Sequence, residues 1–154
     1  MSSTPEQTSQ RRRQHWMSVM AKAPIEQLHT LAEPLLRDCN FSDIRTPDIG
    51  LTQVRGRMGG TGSQFNIGDV TITRCVVRSN AQFYGHSYVI GRNKQHALIA
   101  AKLDALLQDD HQHNSVYQQV IEPLTKILAQ QQQAKKAASA KTKVDFFTLV
   151  RGEG

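Results

Sequence analysis

The stretch GDVTITRCVVRSNAQFYGHSYVIGRNKQHALIAAKLDALL, Gly68 to Leu107, decides the fold. Its first part alternates. Val70, Ile72 and Val76 recur at every second position, as do Tyr84, Tyr88 and Ile90. That period predicts strands over about Asp69 to Arg78 and Tyr84 to Gly91, joined by a turn at Ser79-Asn80. The period then changes. Asn93 is a good helix cap, and Ile99, Leu103, Leu106 and Leu107 recur at helical spacing. Strands joined by short connections and followed by a helix predict an α+β protein with antiparallel pairing.

Upstream of this stretch a further strand is expected over Gly50 to Met58, and a weaker one over Phe41 to Thr46. The sheet would then have three to four strands. Eight of the ten glycines lie between Gly50 and Gly91, which places the turns there and keeps helices out. Residues 1–9 read as a disordered start. A first helix is expected from Ser9 to Ala23 on the spacing of Trp16, Val19, Met20 and Ala23. Pro24 ends it. A second helix carries Ile25, Leu28, Leu31, Leu35 and Leu36, with Pro34 kinking its last turn. Together the two form a helical hairpin.

Downstream, His111-Gln112-His113 reads as a polar loop between helices. A fourth helix follows with Val116, Val120, Leu124 and Ile127 in register and Pro123 as a kink or break. Residues 10–128 make one domain. Residues 129–143 are low in complexity and read as a polar linker or a helix extension. Residues 144–154 end the chain with an apolar burst. There Asp145, Phe146, Phe147, Leu149, Val150 and Arg151 read as a tail that docks on this domain or on a partner, one mode being a strand added to a sheet edge.

Composition narrows the class. The chain has 154 residues, 38% apolar and 21% charged, which suits one globular domain with a modest core. No apolar run reaches the length of a membrane span, and the polar opening predicts no secretory signal. Cys39 and Cys75 share no metal-ligand spacing and fit two reduced thiols in a cytoplasmic protein. Net charge is +6. Seven basic and two acidic residues lie between Arg45 and Lys94, so this segment carries five of the six charges. Such a balance suits a phosphorylated small molecule, an acidic protein or nucleic acid.

Three features can carry anion chemistry. The segment RMGGTG supplies Arg57, Gly59, Gly60, Thr61 and Gly62. Glycines let backbone N–H groups approach phosphate oxygens, although the same glycines equally make a hairpin turn. It lacks the lysine of a phosphate-binding P-loop and opens no helix. Arg74 shares parity with Val70, Ile72 and Val76, hence the more apolar side of its strand. There it needs a ligand or an ion pair, with Asp69 or Asp145 as partners. The segment GRNKQHA gathers Arg92, Lys94 and His96 at a helix N-terminus, where exposed N–H groups also favour anions. A capped helix with a solvated first turn is the equal alternative. No metal set, nucleophile with a base, or carboxylate pair stands out.

The segments RQHWMSVMAKA (Arg13 to Ala23), RMGGTG, GDVTITRCVVR (Gly68 to Arg78), GHSYVIGRNKQHA (Gly85 to Ala97) and VDFFTLVRGE (Val144 to Glu153) occur together in this order. In this the chain resembles the G subunit of the bacterial carbon–phosphorus lyase core complex. The resemblance implies a cytoplasmic subunit of a G-H-I-J assembly, most directly beside the I subunit, with an ABC-type ATPase subunit in the same system. It implies a part in joining an alkylphosphonate to C1′ of ATP with release of adenine, the triphosphate held with magnesium. An iron–sulfur cluster and S-adenosylmethionine would belong to the J subunit, and this chain would bind no cofactor alone. The resemblance brings no catalytic residue with it. A nucleic-acid-binding module and a pure scaffold remain as alternatives.

Overall fold

The structure is a computed structural model and describes residues 4–57 and 62–152, with Arg57 and residues 142–152 described by their backbone. In chain order its elements are α1 (Pro5–Lys22), α2 (Ile25–Leu36), β1 (Phe41–Arg57), β2 (Gln64–Ser79), β3 (Tyr84–Ile90), α3 (Lys94–Leu107), α4 (Asp110–Val116), a π-helical turn (Tyr117–Ile121) and α5 (Glu122–Gly152). The α+β class and the antiparallel sheet are as the periodicity predicts.

The first helix starts at Pro5, inside the segment expected to be disordered. The reason is a capping box. The Thr4 hydroxyl accepts from the Gln7 amide, and the Gln7 side chain accepts from the Thr4 amide. Two otherwise orphan donors are thereby satisfied, and Pro5 sits where its missing N–H costs nothing.

The sheet has three strands in the order β1-β2-β3, all antiparallel. The weak fourth strand is the first half of β1, a strand of 17 residues. Its register against β2 shifts between Asp43 and Arg45 and again between Arg45 and Asp48. Pro47 lies in the second gap and has no N–H to give to a ladder. It is tolerated because β1 is an edge strand.

The covered face of the sheet is not the more apolar one. Thr73, Cys75 and Val77 of β2 and Ser87 and Val89 of β3 are buried. They pack with Ala97, Ala101 and Ala105, one stripe of α3. Tyr84, Tyr88 and Ile90 point the other way and are exposed. Small residues win the inner face because α3 lies too close for large ones. The opposite side of α3, with Ile99, Leu103, Leu106 and Leu107, meets α1, α2 and the π-helical turn in the main core, built around Trp16, Met20, Leu28, Val120 and Leu124.

Asp104 is fully buried and ties three elements together. It accepts from Trp16 Nε1 at 2.8 Å, from Arg13 Nη2 at 2.8 Å and from the His86 amide at 2.9 Å. A buried carboxylate is stable only with such a set of donors.

The segment His111 to His113 is helical rather than a loop, because the Asp109 side chain caps α4 through the His111 amide. Pro123 neither breaks nor ends the helix that follows. The wider π-helical turn precedes it, which relieves the clash of a proline ring with the carbonyl four residues back. α5 then runs to Gly152. Residues 129–141 are helical and exposed all round, and the backbone of the apolar tail is helical rather than extended.

Candidate anion-binding and docking surface

The uncovered face of the sheet holds Arg74. Its partner among the described residues is Asp48, the residue directly opposite on β1, and not Asp69; the side chain of Asp145 lies outside the described residues. Arg74 Nη2 lies 3.6 Å from Asp48 Oδ2, and Arg45 Nη2 lies 3.2 Å from the same oxygen. Gly50 leaves room for the guanidinium, which comes to 3.4 Å of where a Cβ would stand. Asp48 Oδ1 and Arg74 Nε are buried without a hydrogen-bond partner among the described residues. Orphaned polar atoms of this kind call for water, an ion or a partner group. Arg74 sits opposite Tyr88 on its other side. The face thus combines cations, aromatic surface and unmet hydrogen-bonding capacity.

At the β3–α3 junction, Thr73 holds the chain. Its hydroxyl donates to the Gly91 carbonyl at 2.7 Å and accepts from the Asn93 amide at 3.2 Å. Gly91, at φ 104°, takes a conformation that side chains disfavour, and so turns the chain into α3. Asn93 caps the helix through the His96 amide at 3.0 Å. Arg92 and Lys94 are exposed here and free to meet an anion. His96 is not. Its ring is buried, with Nε2 2.7 Å from the Met20 carbonyl, so it joins α3 to α1.

RMGGTG connects β1 to β2, which pair as far as Arg57 and Gln64. Gly59, Gly60 and Thr61 lie outside the described residues, as does the Arg57 side chain. The hairpin and the β3–α3 junction are far apart. From Thr71, where Gly91 is bonded, to Gln64 the strand runs roughly 23 Å at about 3.3 Å per residue. Sequence proximity to glycines therefore did not bring Arg57 together with Arg92 and Lys94.

Sequence reasoning missed a second basic region. A surface cavity of about 540 Å³ between α1 and the α4–α5 segment is lined by Arg11, Arg12, His15, Tyr117 and Gln118. At its wall His113 is fixed from both sides, Nδ1 against the Leu107 carbonyl at 2.7 Å and Nε2 against Arg12 at 2.9 Å. Since a carbonyl can only accept, Nδ1 carries the proton and Nε2 accepts from the guanidinium. The ring stacks on Tyr117. The only signal in the sequence was the run Arg11-Arg12-Arg13.

Neither thiol is primed to react. Burial, aided by Asp43 and against the opposing effect of Lys102, pushes the Cys75 thiol up to about 11. Burial also raises Cys39. No group of three or more His, Cys, Asp or Glu residues is placed to hold a metal among the described residues. No described helix is long and apolar enough to cross a membrane.

These features define a basic α+β protein whose helices cover one face of a small antiparallel sheet and leave cations and apolar side chains on the other. The sequence profile described as "Phosphonate metabolism protein PhnG" matches residues 11–152, and the chain belongs to that family. It is 34% identical over 141 residues to a protein of Rhizobium meliloti (strain 1021), covering 92% of this chain and 90% of that relative. The relative is called alpha-D-ribose 1-methylphosphonate 5-triphosphate synthase subunit PhnG.

Proposed function

We infer that this chain is a subunit of an alpha-D-ribose 1-methylphosphonate 5-triphosphate synthase in phosphonate breakdown. The observation that carries this reading is the match over nearly the whole chain to a relative of that name. The reaction joins a phosphonate oxygen to C1′ of ATP and breaks the bond from C1′ to adenine, which leaves. The chain acts in the cytoplasm within a carbon–phosphorus lyase core of G, H, I and J subunits, most directly with I, and with an ABC-type ATPase subunit. ATP with magnesium is the substrate of the assembly. The iron–sulfur cluster and S-adenosylmethionine serve a later step in J.

Within that assembly, Arg92 and Lys94 hold anionic oxygens of substrate, with Arg57 and Arg74 as further cations. Holding and orienting the phosphonate so that it, rather than water, attacks C1′ is the task for which cations on an open face are suited. The acid–base work falls to another subunit. The test is adenine release from ATP by the purified chain, alone and with the other subunits. The reading expects release only from the assembly. Turnover by this chain alone would contradict the accessory role.

A second reading is a scaffold with no part at the active site. The inward turn of His96 and the Asp48 partner of Arg74 favour it, because both remove a candidate from the ligand. Arg92 and Lys94 decide between the two.

A further inference from the structure

β3 pairs with β2 only from Ile72 to Arg78, whereas β1 follows β2 to Gln64. Beyond Thr71 the sheet is therefore two strands wide. Leu51–Arg57 and Gln64–Val70 form an arm roughly 23 Å long at about 3.3 Å per residue. The buried residues of the sheet stop at Thr73 and Val89, so α3 covers its root and not the arm. A two-stranded ribbon is marginal in water by itself. This one also carries apolar residues in solvent: Leu51 is 72% exposed, Ile67 63% and Phe65 46%. Ile67 lies across Gly56, with Phe65 beside it.

We propose that this arm is a docking element completed by another subunit, which lays an extended segment with apolar and acidic residues along the free edge of β2 from Gln64 to Val70. The inference rests on the subunit reading above. Among the described residues the edge is open, because Gly91 makes the last bond to β2, at the Thr71 carbonyl, and the chain then turns away into α3. An incoming strand continues the line of β3. The first half of β1 is blunted by Pro47 and two register shifts, whereas Gln64–Val70 has no proline and a single irregularity, at Ile67, where the pairing steps from Val54–Gly68 to Arg55–Asn66. Such an edge is a template for strand addition.

Charge selects the occupant. Arg55 and Arg57 lie on the arm, against Asp69 alone. A second copy of this chain would set cations against cations. Nucleic acid would answer the charges but leave Leu51, Ile67 and the backbone edge uncovered. An acidic and apolar protein segment satisfies all three.

The experiment co-expresses the full chain with the other subunits of its synthase and measures assembly of wild type, Leu51→Asp and Ile67→Asp. Both substitutions are at exposed positions, and thermal melting of each isolated variant checks folding. Amide exchange across Gln64–Val70 is followed in the free and assembled wild type. The proposal expects wild type to assemble, the variants to lose about tenfold or more in affinity, and these amides to become protected on assembly. Equal assembly of the variants, or amides that exchange as fast in the complex, would overturn it while leaving the subunit reading intact. Self-association through the arm, or salt-sensitive nucleic-acid binding by it, would overturn it in favour of those occupants. Failure of wild type to assemble would remove the subunit reading and this inference together.

Discussion

Gly85 lies against the backbone of Ala101 with no room for a side chain: a Cβ at Gly85 would collide with the Ala101 carbonyl and stand 2.8 Å from the Ala105 amide. The glycine is thus a close-packing residue rather than a turn residue. It lets β3 seat on the alanine stripe of α3, and that seating sets the direction of the β3–α3 junction bearing Arg92 and Lys94.

Gly85→Ala should therefore be strongly destabilising. Overpacking a tight site costs about 1–3 kcal/mol, and here the obstacle is backbone, which cannot rotate away. For a domain of this size that corresponds to a fall in melting temperature of roughly 2–4 °C per kcal/mol. Thermal denaturation of the purified chain checks it. A melting temperature equal to wild type would mean that β3 does not sit this close.

The same packing explains what the sequence disclosed and what it hid. Strands and α3 were legible because alternation over Val70–Val76 and the 3.6-residue spacing of Ile99–Leu107 are local signals. The covered face is not legible in hydropathy, which favours Tyr84, Tyr88 and Ile90, while the close approach of α3 demands Gly85, Ser87 and Cys75. The start of α1 lies in a polar stretch without an apolar stripe, and its one local signal is the capping box of Thr4-Pro-Glu-Gln7. The Arg74–Asp48 pair was not legible, since it depends on register shifts around Pro47 that no periodicity reveals. Of the candidate cations, Arg92 and Lys94 remain presented to solvent, and His96 is structural.

Cys75 should make stability fall in alkali. Burial holds its folded pKa at about 11, above the ordinary thiol value of 9.0. Below pH 9 both states hold the proton, and the contribution is fully present. Between pH 9 and about 11 the unfolded chain ionises and the folded one does not. Stability then drops by up to roughly 1.4 kcal/mol per pH unit, the value of one proton. Urea titrations at pH 8, 9.5 and 10.5, with Cys75→Ser as reference, check this. The same slope in both proteins would contradict it.

Arg92→Ala and Lys94→Ala should affect the assembled enzyme more than the fold. Both side chains are exposed, so changes in stability should stay within about 0.5 kcal/mol. A lost charge-assisted hydrogen bond to substrate costs roughly 1.5–3 kcal/mol, or about tenfold or more in kcat/KM. Steady-state kinetics on complexes that assemble normally give the answer. Unchanged kinetics would place these residues in a scaffold.

Deleting residues 144–154 tests the end of α5. Among the described residues the core closes at Leu124 with Ile127 and Leu128 beside it, and the shortened chain is expected to fold and melt as the full one does. It should lose co-purification with its partner subunits if Phe146, Phe147, Leu149 and Val150 anchor them. Normal assembly of the truncated chain would show that the tail is not an anchor.

The most direct test of the central claim is product analysis by phosphorus NMR. ATP, magnesium and methylphosphonate are incubated with the other subunits, with and without this chain. Ribose 1-methylphosphonate 5-triphosphate should form only when the chain is present. Without it, any adenine released should be matched by hydrolysed ribose triphosphate. Equal phosphonate transfer in both mixtures would contradict a role for this chain in the reaction.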